Sequence, residues 1–160
     1  MKKLISLLSI LSLSCFAEET NQDKSYSVGL GIGAMYSGIG TNFSFVSKND
    51  LKYISAGCTG YGSANGSECG FGVGWIKTDL FGTDSNKHGL GIYGGSLGKE
   101  YRYPYPFVHE EYDIYGAGVS YTFFMNGINQ SGTTFGISIH ATNARFEGRY
   151  GAFLQVGYQF

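Results

Sequence analysis

Apolar and polar residues alternate with a period of two along most of the chain. This period is typical of a β-strand whose two faces meet different surroundings. The pattern marks eight segments, of which the third alternates least regularly: 26–36, 39–45, 51–58, 70–75, 89–92, 115–123, 135–142 and 150–160. Beyond residue 17, no helical period of 3.6 residues persists over any length. The pattern therefore predicts an all-β chain.

The two faces of these segments differ in size as well as in polarity. In the first segment one face carries Tyr26, Val28, Leu30, Ile32, Ala34 and Tyr36, and the other carries Ser27, Gly29, Gly31, Gly33 and Met35. In a water-soluble barrel the large face would turn inward, so the glycines would face water and gain no packing. In a lipid-embedded barrel the large face meets acyl chains, and small residues fit the narrow lumen of eight strands.

We therefore expect an antiparallel up-and-down transmembrane β-barrel of eight strands, with a soluble barrel as the structural alternative. Residues 18–160 allow about 18 residues for each strand and its connector, which suits transmembrane strands of about 9 to 11 residues. Aromatic residues at strand ends would form interfacial girdles: Tyr26, Tyr36, Tyr112, Phe123, Tyr150 and Tyr158.

The first 17 residues have a different character. Met1-Lys2-Lys3 precedes an apolar stretch from Leu4 to Phe16, which is followed by Ala17 and the acidic pair Glu18-Glu19. This arrangement predicts a secretory signal peptide over 1–17, cleaved after Ala17, and a barrel domain over 18–160. Cys15 raises the alternative of a lipoprotein signal, but Ser12 stands where such signals usually have Leu.

Charge and cysteine content narrow the function classes. The chain has 11 basic and 12 acidic residues, so loss of Lys2 and Lys3 leaves nine against twelve. The sequence has no basic patch with interleaved aromatics, so nucleic-acid binding is not expected.

Cys58 and Cys69 remain after cleavage, and in an exported protein they predict a disulfide that pins a loop. A zinc pair is the alternative, but neither a His nor a second Cys pair lies near, so no metal or cofactor is expected.

The final segment carries the most specific resemblance. It resembles the C-terminal strand of Gram-negative outer-membrane barrels, which alternates apolar residues and ends on an aromatic, usually Phe. In that family the barrel-assembly machinery reads this strand, and the resemblance implies the same role here for Tyr150, Leu154, Val156, Tyr158 and Phe160. At the level of pattern, residues 18–160 are similar to the small OmpA/OmpX-type and opacity-type barrels.

An even strand number with both ends in the periplasm sends the odd-numbered connections outward. The outward loops would be Ser37-Gly38, Cys58 to Cys69, Gly98 to Glu111 and Asn143 to Gly148. The inward turns would be Lys48 to Asp50, Gly82 to Lys87 and Asn126 to Gly132. The third outward loop contains His109 between aromatics and carboxylates, and it could bind a cation or a partner surface, or serve only as an exposed loop.

One cluster could carry chemistry. His140 and Thr142 share a strand face, and Glu147 follows in the next loop. An imidazole oriented by a carboxylate and close to a hydroxyl can activate a nucleophile. The stretch resembles the His-x-Ser-Asn segment of outer-membrane lipid A deacylases, with Thr142 in place of the serine. The alternative is a structural lumen histidine bonded to Thr142 or Gln155.

These observations favour a non-enzymatic outer-membrane barrel that presents surface loops for envelope structure, adhesion or interaction. Its expected partners are outer-membrane lipid and lipopolysaccharide, the barrel-assembly machinery during biogenesis, and a surface molecule that the sequence does not identify. A lipid A deacylase-like hydrolase and a small-ligand conduit through a glycine-lined lumen are the alternatives.

Overall fold

The computed structural model describes residues 25–62, 66–82, 85–105, 108–145 and 149–160. Its strands are β1 Tyr26–Gly33, β2 Gly38–Val46, β3 Asp50–Gly62, β4 Gly66–Lys77, β5 His88–Tyr105, β6 Val108–Phe124, β7 Gly132–Thr142 and β8 Tyr150–Gln159. Each strand pairs antiparallel with the next, and β1 pairs with β8, which closes the barrel. The predicted all-β class and eight-stranded antiparallel barrel are confirmed. The predicted signal peptide lies outside the described residues.

The barrel has two distinguishable ends. We call the end with the β1–β2, β3–β4, β5–β6 and β7–β8 connections the loop end, and the opposite end the turn end. The structure describes two 3₁₀ turns, Ala34–Tyr36 between β1 and β2 and Asp79–Phe81 after β4. In the described ranges no helix is long and apolar enough to cross a lipid bilayer.

Large apolar side chains point away from the barrel axis. Leu154 on β8 is 78 % exposed, and Ile39 on β2 and Phe71 on β4 are 68 % and 65 % exposed. The alternating positions on the same strands are small or polar and face the lumen, such as Gln155, which is buried. The predicted assignment of the two faces is confirmed on these strands.

The first connection departs from the expectation. β1 ends at Gly33, and the turn Ala34–Tyr36 folds back into the lumen, where all three residues are buried. Three residues with positive φ make this reversal possible: Gly33 at 115°, Ser37 at 53° and Gly38 at 97°. The placement of Ala34 and Tyr36 on the outer face, with Tyr36 in a girdle, is therefore wrong. We call Ala34–Tyr36 the plug.

The tract from Gly98 to Glu111 also differs from the predicted loop. β5 and β6 remain paired out to Tyr105 opposite Val108. The pairing of β5 with β4 ends at Gly95, and the pairing of β6 with β7 ends at Gly116, so the tract beyond them is a protruding two-stranded hairpin. Among the described residues, neither outer edge of this hairpin pairs with a third strand. An edge strand tolerates proline and charge that a central strand would not.

The poor alternation of the third segment has a structural cause. Leu51 and Tyr53 on β3 face the lumen and are buried, whereas Lys52 and Ile54 face outward. The lumen face of this strand is therefore as bulky as its outer face. Near the turn end Leu51 belongs to an apolar cluster that fills the lumen, together with Val46, Ile76, Phe124 and Ile128.

Candidate functional site

Hydrogen bonds hold the plug to the barrel wall on two sides. The Met35 backbone N–H donates to Gln155 Oε1 on β8 at 3.2 Å, and Asn42 Nδ2 on β2 donates to the Met35 carbonyl at 3.3 Å. Gln159 Nε2 donates to Asn42 Oδ1 at 3.2 Å, and the Ser27 hydroxyl donates to Gln159 Oε1 at 2.8 Å. A continuous polar network therefore joins the plug to β1, β2 and β8.

Tyr36 crosses the lumen from the plug. Its hydroxyl lies 2.9 Å from Thr134 Oγ1 on β7, and its side chain is fully buried. The ring runs beside Gly31 and Gly157, where an added Cβ would overlap it. These glycines are needed because the tyrosine occupies the space that their side chains would take.

A second row of the lumen alternates rings with glycines. Tyr53, Gly74, Tyr93, Gly118, His140 and Gly151 lie opposite one another on successive strands from β3 to β8. A Cβ on Gly74 would overlap the Tyr53 ring, and a Cβ on Gly151 would overlap the His140 imidazole. The lumen glycines that suggested a conduit therefore make room for aromatic side chains in this row.

His140 faces the lumen, as its strand position predicted, but its contacts differ from the expected ones. Its Nδ1 lies 3.2 Å from the Tyr93 hydroxyl, and its ring stacks on Phe153 with centroids 4.8 Å apart. Gln155 instead donates to Thr122 Oγ1 at 3.2 Å, and Thr142 Oγ1 accepts the Ala144 N–H at 3.2 Å. Tyr93 is thus the partner that sequence reasoning missed.

The proposed catalytic set cannot be completed from the described residues, because Glu147 lies outside them. His140 and Thr142 do share the lumen side of β7. A deacylase-like role for these three residues stays an alternative to the predicted non-enzymatic barrel. Among the described residues, no group of three or more His, Cys, Asp or Glu side chains could hold a metal ion.

The predicted disulfide is confirmed. Cys58 on β3 and Cys69 on β4 face each other across the paired strands, with Cα atoms 3.9 Å apart. The bond joins two paired strands and not the ends of a loop as predicted, because β3 and β4 stay paired beyond it as far as Gly62 opposite Gly66. Thr59 Oγ1 next to it donates to the Leu97 carbonyl on β5 at 3.1 Å, so this hairpin also contacts the base of the β5–β6 hairpin.

The β7–β8 connection packs against the other side of that base. The Asn143 backbone N–H donates to the Tyr115 carbonyl at 3.0 Å, and the Tyr115 N–H donates to Asn143 Oδ1 at 2.8 Å. The Arg145 guanidinium lies 5.3 Å from the centroid of the Tyr112 ring. The base of the protruding hairpin is therefore fixed from both sides. The predicted His109 group lies further out, where side chains are outside the described set.

No family model, curated protein or solved structure matches this chain. The resemblance to small outer-membrane barrels rests on the strand pattern and stays a prediction.

Proposed function

We propose that residues 18–160 form a non-enzymatic outer-membrane protein whose filled barrel is a rigid support for loop-end hairpins that contact molecules outside the cell. The observation that carries this proposal is the apolar outer surface of a closed barrel. Side chains such as Leu154, Ile39 and Phe71 project from it without a protein partner among the described residues.

The free energy of apolar burial favours lipid over water around this surface. Full burial of a Leu, Ile or Phe side chain is worth roughly 1.5 to 3 kcal/mol relative to exposure. Soluble monomers rarely expose contiguous apolar patches of more than a few hundred Å². Here exposed apolar side chains occur on all eight strands. A bilayer would remove this surface from water, and the closed barrel leaves no unpaired strand edge within the lipid.

The aromatic residues support the same environment. Exposed aromatics occur near the turn end at Tyr26, Phe45, Trp75, Tyr158 and Phe160, and near the loop end at Tyr115 and Tyr150. Amphipathic rings favour the boundary between acyl chains and headgroups. A spanning barrel would place these two groups at its two membrane boundaries.

The filled lumen supports a scaffold over a conduit. The plug, its polar network and the row of rings occupy the space beside the glycines. The β5–β6 hairpin is the most prominent feature at the loop end, and its base is held by both neighbouring connections. A rigid base with a protruding tip suits the presentation of a binding surface.

Cell fractionation with a heat-modifiability gel tests membrane residence. The folded protein should remain in the outer-membrane fraction and change its gel mobility on boiling. Recovery in the soluble periplasm would refute the proposal.

Epitope insertion tests which end faces outward. A tag inserted between Pro106 and Phe107, in the connection from β5 to β6, should bind antibody on intact cells. The same tag between Gln130 and Ser131, in the β6–β7 turn, should bind only after permeabilisation. The reverse result would show that the turn end faces outward and that the hairpin does not lie at the cell surface.

A further inference from the structure

A compact polar cluster lies on the outer face of β3 and β4 at the turn end. Its centre is Trp75, the only tryptophan in the chain. The ammonium groups of Lys52 and Lys77 lie 5.6 and 5.8 Å from the centroid of the indole ring. Lys52 stands opposite Trp75 in the strand pairing, and Lys77 follows two residues later on β4.

Each lysine of this cluster has a carboxylate beside it. Lys52 Nζ lies 3.9 Å from Asp50 Oδ1, and Lys77 Nζ lies 3.3 Å from Asp79 Oδ2. Asp50 is also opposite Lys77 in the strand pairing. The cluster therefore presents two ammonium groups and two carboxylates around one indole, and these four charges cancel. Exposed pairs of this kind contribute only about 0 to 1 kcal/mol, so a ligand can readily exchange with them.

The cluster adjoins the apolar outer surface. Ile54 and Val73, which face each other across β3 and β4, come next toward the loop end and are 57 % and 54 % exposed. A molecule with a charged head at Trp75 could therefore lay an apolar chain along Ile54 and Val73.

We propose that this cluster binds the headgroup of a phospholipid that carries a primary amine, a phosphoethanolamine lipid of the leaflet at the turn end. This inference rests on the proposed membrane location. The phosphate would lie between Lys52 and Lys77, because charge-assisted N–H donors bind phosphate strongly. The amine would donate to Asp50 and Asp79, and the indole would pack against the glycerol region.

The equal numbers of ammonium and carboxylate groups in the cluster favour a zwitterionic headgroup over an anionic one. A headgroup with a phosphate and no amine would leave the two carboxylates beside bound negative charge. A choline headgroup has the positive charge but no N–H to donate to them. Only a headgroup with both a phosphate and a primary amine satisfies all four side chains.

Native mass spectrometry of the full folded protein tests this assignment. The protein is released from mixed micelles that contain equal amounts of phosphatidylethanolamine, phosphatidylglycerol and phosphatidylcholine with identical acyl chains. We expect several-fold more retained phosphatidylethanolamine than either other lipid. The double variant Lys52→Gln, Lys77→Gln should lose most of that retention. A Lys87→Gln variant, changed at a turn-end lysine outside the cluster, should keep it.

A second pair of substitutions tests the role of the carboxylates. Asp50→Asn with Asp79→Asn should lower the retention of phosphatidylethanolamine and raise that of phosphatidylglycerol, so that the preference reverses. Equal retention of all three lipids, or retention that none of these substitutions changes, would overturn the assignment. Heat modifiability is measured on every sample. A heat-modifiable barrel without lipid preference would refute the headgroup assignment alone, whereas the loss of heat modifiability would count against the membrane proposal.

Discussion

Removal of the Tyr36 hydroxyl from the plug should lower the stability of the barrel. Tyr36→Phe removes the hydroxyl that lies 2.9 Å from Thr134 Oγ1, and Thr134 is only 1 % exposed. The threonine hydroxyl is then left in the lumen without this partner. The loss of one partner of a buried hydrogen bond costs about 1 to 3 kcal/mol, whereas replacement of both partners by apolar groups of similar shape is nearly neutral.

A double-mutant cycle measures this coupling. Tyr36→Phe and Thr134→Val should each lower the free energy of unfolding by about 1 to 3 kcal/mol, and the double variant should lose less than the sum of the two. Tyr36→Ala should cost more, about 3 to 5 kcal/mol, because it also leaves a cavity beside Gly31 and Gly157. Strictly additive single effects would contradict the contact.

Urea titration of the barrel refolded in detergent micelles gives these free energies. Trp75 reports unfolding by its fluorescence, and it lies on the outer face, away from the plug. Heat modifiability on a gel gives an independent reading of the folded fraction. A cost below about 1 kcal/mol for Tyr36→Ala would show that the plug does not fill the lumen as described.

Three further predictions concern other parts of the molecule. Thiol labelling of the exported, unreduced and denatured protein should find neither Cys58 nor Cys69 free; full labelling would refute their bond. If the outer face of β8 meets lipid as proposed, Val156→Asp should deplete the protein from the outer membrane. An acidic group there opposes insertion, at a cost below the roughly 2 to 4 kcal/mol of Lys or Arg. Normal assembly would argue against a lipid-facing β8. His140→Asn and Thr142→Val should leave the lipid A mass profile unchanged, whereas an acyl chain lost only with both residues intact would establish the deacylase alternative.

The barrel could be predicted from the sequence because the alternation that marks each strand is visible in consecutive residues. On β8 the alternation of Leu154 and Val156 with Gln155 requires only neighbouring residues to be recognised, and burial follows it. The plug could not be predicted in the same way. Its reversal at Gly33 depends on positive φ, and its partners Gln155 and Thr134 lie 120 and 98 residues from the plug residues that they contact.

The same difference between local patterns and long-range contacts applies to the candidate catalytic residues. The strand position of His140 indicated a lumen side chain, but its partner Tyr93 is 47 residues away and belongs to a row of rings that only the register of six strands brings together. The sequence predicts a loop where the structure has the protruding hairpin, because proline and charge usually mark a loop. An edge that pairs with no third strand relaxes that rule.

Quenching of Trp75 by brominated phospholipids tests most directly whether lipid surrounds the outer face, as proposed. Because the chain has one tryptophan, at the turn end of β4, bromines near the glycerol should quench it more than bromines near the chain ends. In a Trp75→Phe background, Ile137→Trp on the middle of the outer face of β7 should show the opposite depth preference. Fluorescence of both reporters that no brominated lipid quenches would contradict a membrane-embedded barrel.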